Sequence, residues 1–98
     1  YKNIGIFSSN DEMAMGFLSS VIEKNEFLLK NWGIIGYDNM PSSKIFHPKL
    51  SSINIDLDKL AELSIERLTK LIKEPLDDNS ITTTLIPVNA IMRETHQS

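Results

Sequence analysis

The pattern of hydrophobic and polar residues differs from one segment of the chain to the next, and the successive patterns predict strands and helices in turn. Lys2–Phe7 contains a short apolar run typical of a strand, and Asp11–Lys24 carries apolar residues at helical spacing. Asn25 is expected to end this first helix in a left-handed conformation, and Glu26–Asn31 is expected to be a connector. The predicted core-facing stripe of the helix consists of Ala14, Phe17, Leu18, Val21 and Ile22.

The middle of the chain predicts two further strands separated by a loop. Trp32–Tyr37 is apolar throughout, as expected of a parallel strand that is covered on both faces. Met40–Leu50 contains two prolines and is predicted to be a loop with one short turn at Ser43–Phe46. Ser51–Ile55 alternates enough to predict a short third strand.

The most regular pattern predicts a second helix, which starts at Asp56 or Asp58 and is stopped by Pro75. Its other face is charged and includes Glu66 and Lys70 at the spacing of a helical ion pair. Its apolar stripe is formed by Leu57, Leu60, Ala61, Ser64, Ile65, Leu68, Leu71 and Ile72.

The end of the chain predicts a surface loop followed by two strands. The loop is Pro75–Ser80, and the strands are Thr82–Val88 and Ala90–Arg93. Taken together, the order strand, helix, strand, loop, strand, helix, strand predicts an α/β fold with a mostly parallel sheet flanked by helices.

Composition narrows the class of protein. The 98 residues suffice for one small domain or a piece of a larger one, and the opening at Tyr1, directly before a strand, favours a piece. A net charge of −3 with scattered basic residues argues against a nucleic-acid-binding surface within this chain. The absence of cysteine excludes a disulfide framework and thiolate metal ligands. No apolar run approaches the roughly 18 residues that suggest a membrane span.

Polar residues follow the first predicted strand at the point where the first helix begins. Any residue of Ser8–Asp11 can cap a helix, and Ser9 with Glu12 stands at capping-box spacing. In open α/β sheets such a corner lies at the carboxyl end of a strand, where these folds bind ligands. Asp11 therefore has two interpretations from the residues alone, a helix cap or a cap that also accepts hydrogen bonds from ligand hydroxyls.

Catalytic and metal chemistry find little support in the sequence. His47 and His96 are far apart and have no further ligands at metal-binding spacing. Asp11, Glu12 and Asp38 resemble the acidic cluster of a phospho-acceptor domain, but no lysine ends a suitable following strand. No glycine-rich phosphate loop or nucleophile elbow is present. We therefore expect no enzyme activity, no cofactor and no metal site.

Four segments, in matching order and spacing over nearly the whole chain, resemble one protein family. They are Asn10–Gly16, Ile34–Asn39, Pro48–Ile53 and Leu85–Thr95. The first is similar to the Asn-Asp-x-Met-Ala-x-Gly signature of the lactose-repressor family of bacterial transcription regulators. The third resembles the Pro-x-Leu-Thr-Thr-Ile element of that family, and the last its closing Arg-Glu-Ser/Thr.

The resemblance implies a piece of a two-lobed, periplasmic-binding-protein-like effector domain, joined upstream to a DNA-binding helix-turn-helix that is absent from this chain. Residues 1–54 and 85–95 would belong to the C-terminal lobe, and residues 56–83 would supply a helix and loop of the N-terminal lobe. The apolar stripe of that helix would then lack its cover, so we expect either an oligomer or a helix folded back against its own sheet. The implied partners are a small-molecule effector of the sugar type and a second copy in a homodimer or higher oligomer. DNA would be bound through the absent domain. The protein would be cytoplasmic and would have no membrane partner.

The resemblance also implies site residues. Asp11 would be the ligand carboxylate that grips sugar hydroxyls, with Asn10 beside it and Leu57 as an apolar cleft residue. Ile55 stands where the family often has glutamine, which removes one polar contact. The implied dimer interface consists of Met15, Leu18, Ser19 and Ile22.

Two hypotheses of function thus stand beside each other. The first is the ligand-sensing and dimerisation part of a sugar-responsive regulator, which the closing Arg93–Thr95 favours. The second is an extracytoplasmic sugar-binding protein of a transporter, which shares the fold and would carry a signal peptide upstream. A phospho-receiver or enzyme-like α/β domain is the third, without a visible catalytic constellation.

Overall fold

The computed structural model describes residues 3–74 and 82–95, and contacts divide the chain into two units. The first unit comprises Tyr1–Ile55 with Asn89–Ser98, and the second comprises Asp56–Val88. The assignment of these segments to two lobes of a larger domain stays a prediction.

A four-stranded sheet organises the first unit and is ordered β1-β2-β3-β4. Parallel register joins β1 to β2, with Ile4 opposite Trp32, and β2 to β3, with Ile35 opposite Ser51. The predicted α/β class and parallel strand pairing are thereby confirmed, and the third strand has the predicted bounds. The strands are β1 (Ile4–Phe7), β2 (Trp32–Asp38), β3 (Ser51–Ile55) and β4 (Val88–Ile91).

Helix α1 (Asp11–Asn25) connects β1 to β2 and packs its narrow apolar face on the sheet. Asn10 is the cap, because its Oδ1 accepts the backbone N–H of Met13 at 2.8 Å. The buried hydrophobic core of the described residues is small and consists of Ala14, Leu18, Ile34 and Leu50.

The predicted core stripe of α1 is wrong for Phe17, whose side chain is 39% exposed. Phe17 lies about 60° around the helix from Ala14, at the margin of the face that meets the sheet. Its ring stacks instead on Trp32, with centroids 6.0 Å apart. Val21 and Ile22 are half-buried.

Two connectors are more ordered than the sequence predicts. Glu26–Asn31 is a 3₁₀ helix, and Asn25 before it is extended rather than left-handed, because its side chain caps Phe27 N at 3.2 Å. In the loop between β2 and β3 the 3₁₀ turn is Pro41–Lys44, two residues earlier than the predicted Ser43–Phe46.

The second unit contains helix α2 (Leu57–Lys73), which the sequence placed correctly. Asp56 caps it by accepting Lys59 N at 3.0 Å, and the helix ends before Glu74. No residue of α2 is buried, and Ile72 in its apolar stripe is 74% exposed. The apolar stripe of α2 is therefore exposed among the described residues.

The segment after α2 departs from the prediction. Residues 82–87 form no strand, and β4 begins at Val88 and ends at Ile91 rather than Arg93. Residues of high strand propensity form a strand only where a neighbouring strand offers hydrogen bonds. Residues 82–86 contribute instead, with α2, to a cavity of about 350 Å³. The predicted loop Pro75–Ser80 lies outside the described residues.

Within residues 3–74 and 82–95, no helix is both long and apolar enough to cross a membrane.

Candidate functional site

Polar side chains gather at the carboxyl ends of the parallel strands. Ser8–Asn10 follow β1, Asp38 and Asn39 stand at the end of β2, and Asn54 is opposite Asp38 in β3. Since parallel strands end at the same edge of a sheet, these residues share one rim, which we call the polar rim. It is the candidate ligand site of the first unit.

Asp11 does not belong to the accessible surface of this rim. Its side chain is 0% exposed, and both carboxylate oxygens are used within the protein. Oδ1 accepts the hydroxyl of Ser52 at 2.6 Å, and Oδ2 accepts the backbone N–H of Met40 at 2.7 Å. The expectation that Asp11 grips a ligand is therefore not met in this structure. Nor is Asp11 the helix cap, because Asn10 fills that position.

Gly36 makes the burial of Asp11 possible. A Cβ at Gly36 would collide with Asp11 Oδ1 and would lie 3.1 Å from Leu50 Cδ2. The start of α1 therefore approaches β2 so closely that only hydrogen fits between them.

The corner after β2 is strained and exposed. Asp38 has φ 108° and Asn39 has φ 53°, which are left-handed conformations of residues other than glycine. Such conformations cost on the order of 1–3 kcal/mol each and concentrate at functional sites. The Asp38 side chain is exposed and makes no hydrogen bond or ion pair to any described residue, so its carboxylate is available to a ligand. Although the sequence showed polar residues here, it gave no sign of the strain.

Arg93 reaches this corner from the end of the chain. Its Nη2 donates to Asn39 Oδ1 at 2.6 Å, and its Nη1 donates to Leu50 O at 2.6 Å and to Ser43 Oγ at 3.0 Å. Its backbone N–H donates to Ser51 Oγ at 2.7 Å. Sequence reasoning missed this contact, because more than fifty residues separate Arg93 from Asn39.

A row of amides continues from the corner along the rim. Asn39 Nδ2 donates to Asn54 Oδ1 at 2.9 Å, and Asn54 Nδ2 donates to Asn89 Oδ1 at 3.3 Å. Together with Arg93 these residues form a continuous polar network across β2, β3 and β4.

The rest of the closing Arg-Glu-Thr segment is structural. Thr95 is buried, its hydroxyl donates to Ile34 O at 2.7 Å, and it accepts Ser51 N at 2.8 Å. Glu94 Oε1 accepts Lys49 N at 2.8 Å. The segment thus fastens the beginning of β3 to the middle of β2.

The remaining predicted ligand residues have different surroundings. Asn10 is half-buried at the rim, where Oδ1 caps α1 and Nδ2 donates to no described residue. Leu57 is the first residue of α2 in the second unit and is 64% exposed. A ligand role for Leu57 stays a prediction.

The predicted dimer interface needs a correction at Leu18, which is 1% exposed and belongs to the core of its own unit. Met15 also packs against that core, and Ile22 is half-buried. Ser19 alone among the four is exposed.

A cavity of about 510 Å³ lies away from the polar rim, near the start of β2. Its lining is mostly apolar and includes Leu18, Ile22, Phe27, Trp32 and Ile34. Polar side chains also line this cavity (Glu26, Lys30, His47, Glu94 and Thr95). It lies away from the carboxyl ends of the parallel strands, however, where open α/β sheets bind ligands. In the described residues, no three His, Cys, Asp or Glu side chains converge as metal ligands.

We expect Asp38→Gly to raise the free energy of unfolding by about 1 kcal/mol, because glycine adopts φ 108° without strain. Asn39→Gly is the matched control, since Asn39 is also left-handed but its side-chain amide makes three hydrogen bonds, to Arg93, Asn54 and Ser43. In Asn39→Gly the free energy of unfolding should fall by about 1–3 kcal/mol. Urea denaturation measures both, and a loss of stability in Asp38→Gly would show that the Asp38 side chain has a structural task.

Comparisons place the chain among known proteins. Residues 2–96 match the periplasmic binding protein-like domain family. A probable HTH-type transcriptional repressor of Bacillus subtilis, ExuR, is 31% identical over 70 residues, which is 71% of this chain and 21% of that protein.

Solved structures are similar over a larger part of the chain. The periplasmic binding protein/LacI transcriptional regulator from Alkaliphilus metalliredigens, complexed with D-xylulofuranose, has a TM-score of 0.82 at 31% identity, covering 96% of this chain and 35% of that one. A LacI family transcriptional regulator from Enterococcus faecium with bound ribose has a TM-score of 0.77 at 28% identity, covering 95% and 34%. The chain thus spans about a fifth of the curated relative and about a third of each solved one.

Proposed function

Because the chain belongs to the periplasmic binding protein-like domain family, we propose that it is the ligand-sensing part of a bacterial transcription regulator of the lactose-repressor type. The relatives named above are transcriptional regulators, which favours this hypothesis over a transporter's binding protein. DNA binding would be the task of a separate domain outside these residues. The protein would act in the cytoplasm, without catalysis, cofactor or metal.

The effector we propose is a pentose or a similar small polyol. The observation that carries this proposal is the exposed Asp38 carboxylate in a strained conformation at the carboxyl end of β2. A carboxylate accepts hydrogen bonds from neighbouring hydroxyls, and charge-assisted bonds of this kind are the stronger ones. Nδ2 of Asn10 offers a donor on the same rim. Two solved relatives hold D-xylulofuranose and ribose, which supports the choice of a pentose.

In the mechanism we propose, the protein senses the sugar without changing it. The backbone that follows Asp38 is held before the ligand arrives by the bonds of Asn39 N and Met40 N, so little backbone freedom is lost on binding. The sugar binds one arrangement of the effector domain better than another and shifts the population between them. The affinity for DNA changes by the same coupling free energy.

A thermal-shift screen of the full-length protein with D-ribose, D-xylulose, hexoses and nucleosides tests this function. A true effector at about 100 times its Kd stabilises the native state by about 2.7 kcal/mol and raises Tm. The same compound should change the affinity of the full-length protein for the DNA that it binds. Stabilisation by nucleosides alone would contradict the pentose proposal, and a sugar that leaves DNA binding unchanged would contradict the regulator.

We also propose a homodimer that uses the exposed side of α1. Ser19→Arg places a long charged side chain on that side and should weaken dimerisation about tenfold or more, because a charge is costly to bury without a partner. Ser20→Arg is the matched control, since Ser20 is equally exposed and points about 100° further around the helix. Sedimentation of the full-length protein measures both, and equal effects would place the interface elsewhere.

A further inference from the structure

The left-handed backbone at Asp38 and Asn39 must be stabilised by contacts with other parts of the chain. Each residue has a positive φ, so each would relax to another conformation if nothing opposed it. The conformation persists because hydrogen bonds to Asn39 and Met40 fix it.

The backbone of the corner is fixed by two groups from neighbouring elements. Asn39 N donates to Ser52 Oγ at 2.9 Å, and Met40 N donates to Asp11 Oδ2 at 2.7 Å. Ser52 in turn donates its hydroxyl to Asp11, so both bonds depend on one buried carboxylate.

The side chain of Asn39 is fixed from a different direction. Its Oδ1 accepts Arg93 Nη2 at 2.6 Å, while Arg93 Nη1 donates to Leu50 O at 2.6 Å. The planar guanidinium therefore joins the two ends of the loop between β2 and β3. A lysine side chain has only one nitrogen and could make a good hydrogen bond to only one of these two acceptors.

We propose that Arg93 is a positioning residue for effector binding, which holds the Asp38–Asn39 corner in the conformation that presents the Asp38 carboxylate to a polyol. This inference rests on the proposed function. In this inference Arg93 acts through Asn39, because Nη2 donates to Asn39 Oδ1 while Nη1 donates to Leu50 O and Ser43 Oγ.

The size of the effect follows from population arithmetic. If the corner is competent for a fraction of the time, the apparent Kd rises by the inverse of that fraction. Loss of the Arg93 side-chain bonds removes one of the two anchors, and a competent fraction of about one tenth corresponds to a Kd raised about tenfold. Amide exchange follows the open fraction of the corner, which is small in the wild type, so a rise in Kd of about tenfold implies that exchange speeds up by at least the same factor.

The experiment measures both quantities in the full-length protein with Arg93→Met and Arg93→Lys. Hydrogen exchange reports the Asn39 and Met40 amides, and calorimetry with D-ribose and D-xylulose as probes reports Kd. Arg93→Met should raise Kd about tenfold and speed exchange of these two amides by at least the same factor. Arg93→Lys should give intermediate values for both, and exchange in the middle of α1 should stay unchanged.

Asn39→Ser is a second variant, because it removes the acceptor at the corner and leaves the bonds of Arg93 to Leu50 and Ser43. It should repeat the effects of Arg93→Met even if that variant folds poorly. Lys49→Met is the matched control for removal of a cation, since Lys49 is exposed and its side chain donates to no described residue. It should change neither quantity.

Two results would overturn the inference. Unchanged exchange at Asn39 and Met40 in both Arg93→Met and Asn39→Ser would show that the corner holds itself. A raised Kd with unchanged exchange would mean that Arg93 contacts the ligand. If wild-type protein binds neither pentose, the pentose proposal fails, while the exchange data still decide whether Arg93 holds the corner.

Discussion

Asp11→Ala should lower the free energy of unfolding by about 3–5 kcal/mol, more than any substitution on the polar rim. The variant leaves the Met40 N–H and the Ser52 hydroxyl without their acceptor. Each buried group that loses its partner costs about 1–3 kcal/mol, and the empty volume adds to this loss. Because Ser52 also holds Asn39 N, the corner should loosen as well. Urea denaturation of the full-length protein measures the effect.

Glu12→Ala is the matched control for Asp11→Ala, since both acidic residues lie in the first turn of α1. Glu12 is exposed and interacts favourably with the helix dipole, which is worth about 0.3–1 kcal/mol. Similar small losses in both variants would contradict the structural role of Asp11.

Gly36→Ala should lower the free energy of unfolding by about 2–4 kcal/mol. The added methyl group would occupy the position of Asp11 Oδ1, so either α1 moves away from β2 or the bond to Ser52 breaks. Overpacking of a close contact typically costs about 1–3 kcal/mol, and a lost hydrogen bond to a charged group adds to it. Denaturant titration with a check for unchanged cooperativity measures the loss.

Gly16→Ala provides the opposite expectation. Gly16 is exposed within α1, and a Cβ there would meet no atom within 4 Å. Alanine should therefore stabilise the helix by about 0.5–1 kcal/mol. If Gly36→Ala were as harmless as Gly16→Ala, the close approach of Asp11 to β2 would not exist in solution.

The secondary structure could be predicted where the signal is local. The stripe of α2 and the apolar run of β2 depend on side-chain periodicity, which a sequence displays directly. The strand predicted at Thr82–Val88 was wrong because strand propensity does not show whether a neighbouring strand is present. Phe17 was wrong because the width of a buried face depends on what packs against it.

The candidate site could be predicted to a strand end but not to a residue. Asn10 and Asp11 are adjacent in the signature, yet Asn10 precedes the helix on the rim and Asp11 turns inward at its first residue. Their different directions follow from the choice of cap, and four residues in a row can cap a helix. The role of Arg93 depends on contacts across more than fifty residues, which no local pattern reveals.

The most direct test asks which carboxylate binds the ligand. It is a calorimetric titration of the full-length protein with its effector sugar, in which Asp38→Asn is compared with Asp11→Asn. We expect Asp38→Asn to keep the stability of the wild type and to weaken binding about tenfold or more, because a charge-assisted acceptor is lost. Asp11→Asn should lose stability and, where it is still folded, bind more tightly than Asp38→Asn. Normal affinity in Asp38→Asn together with lost binding in folded Asp11→Asn would contradict the account. Asp11 would then be the carboxylate that binds the ligand.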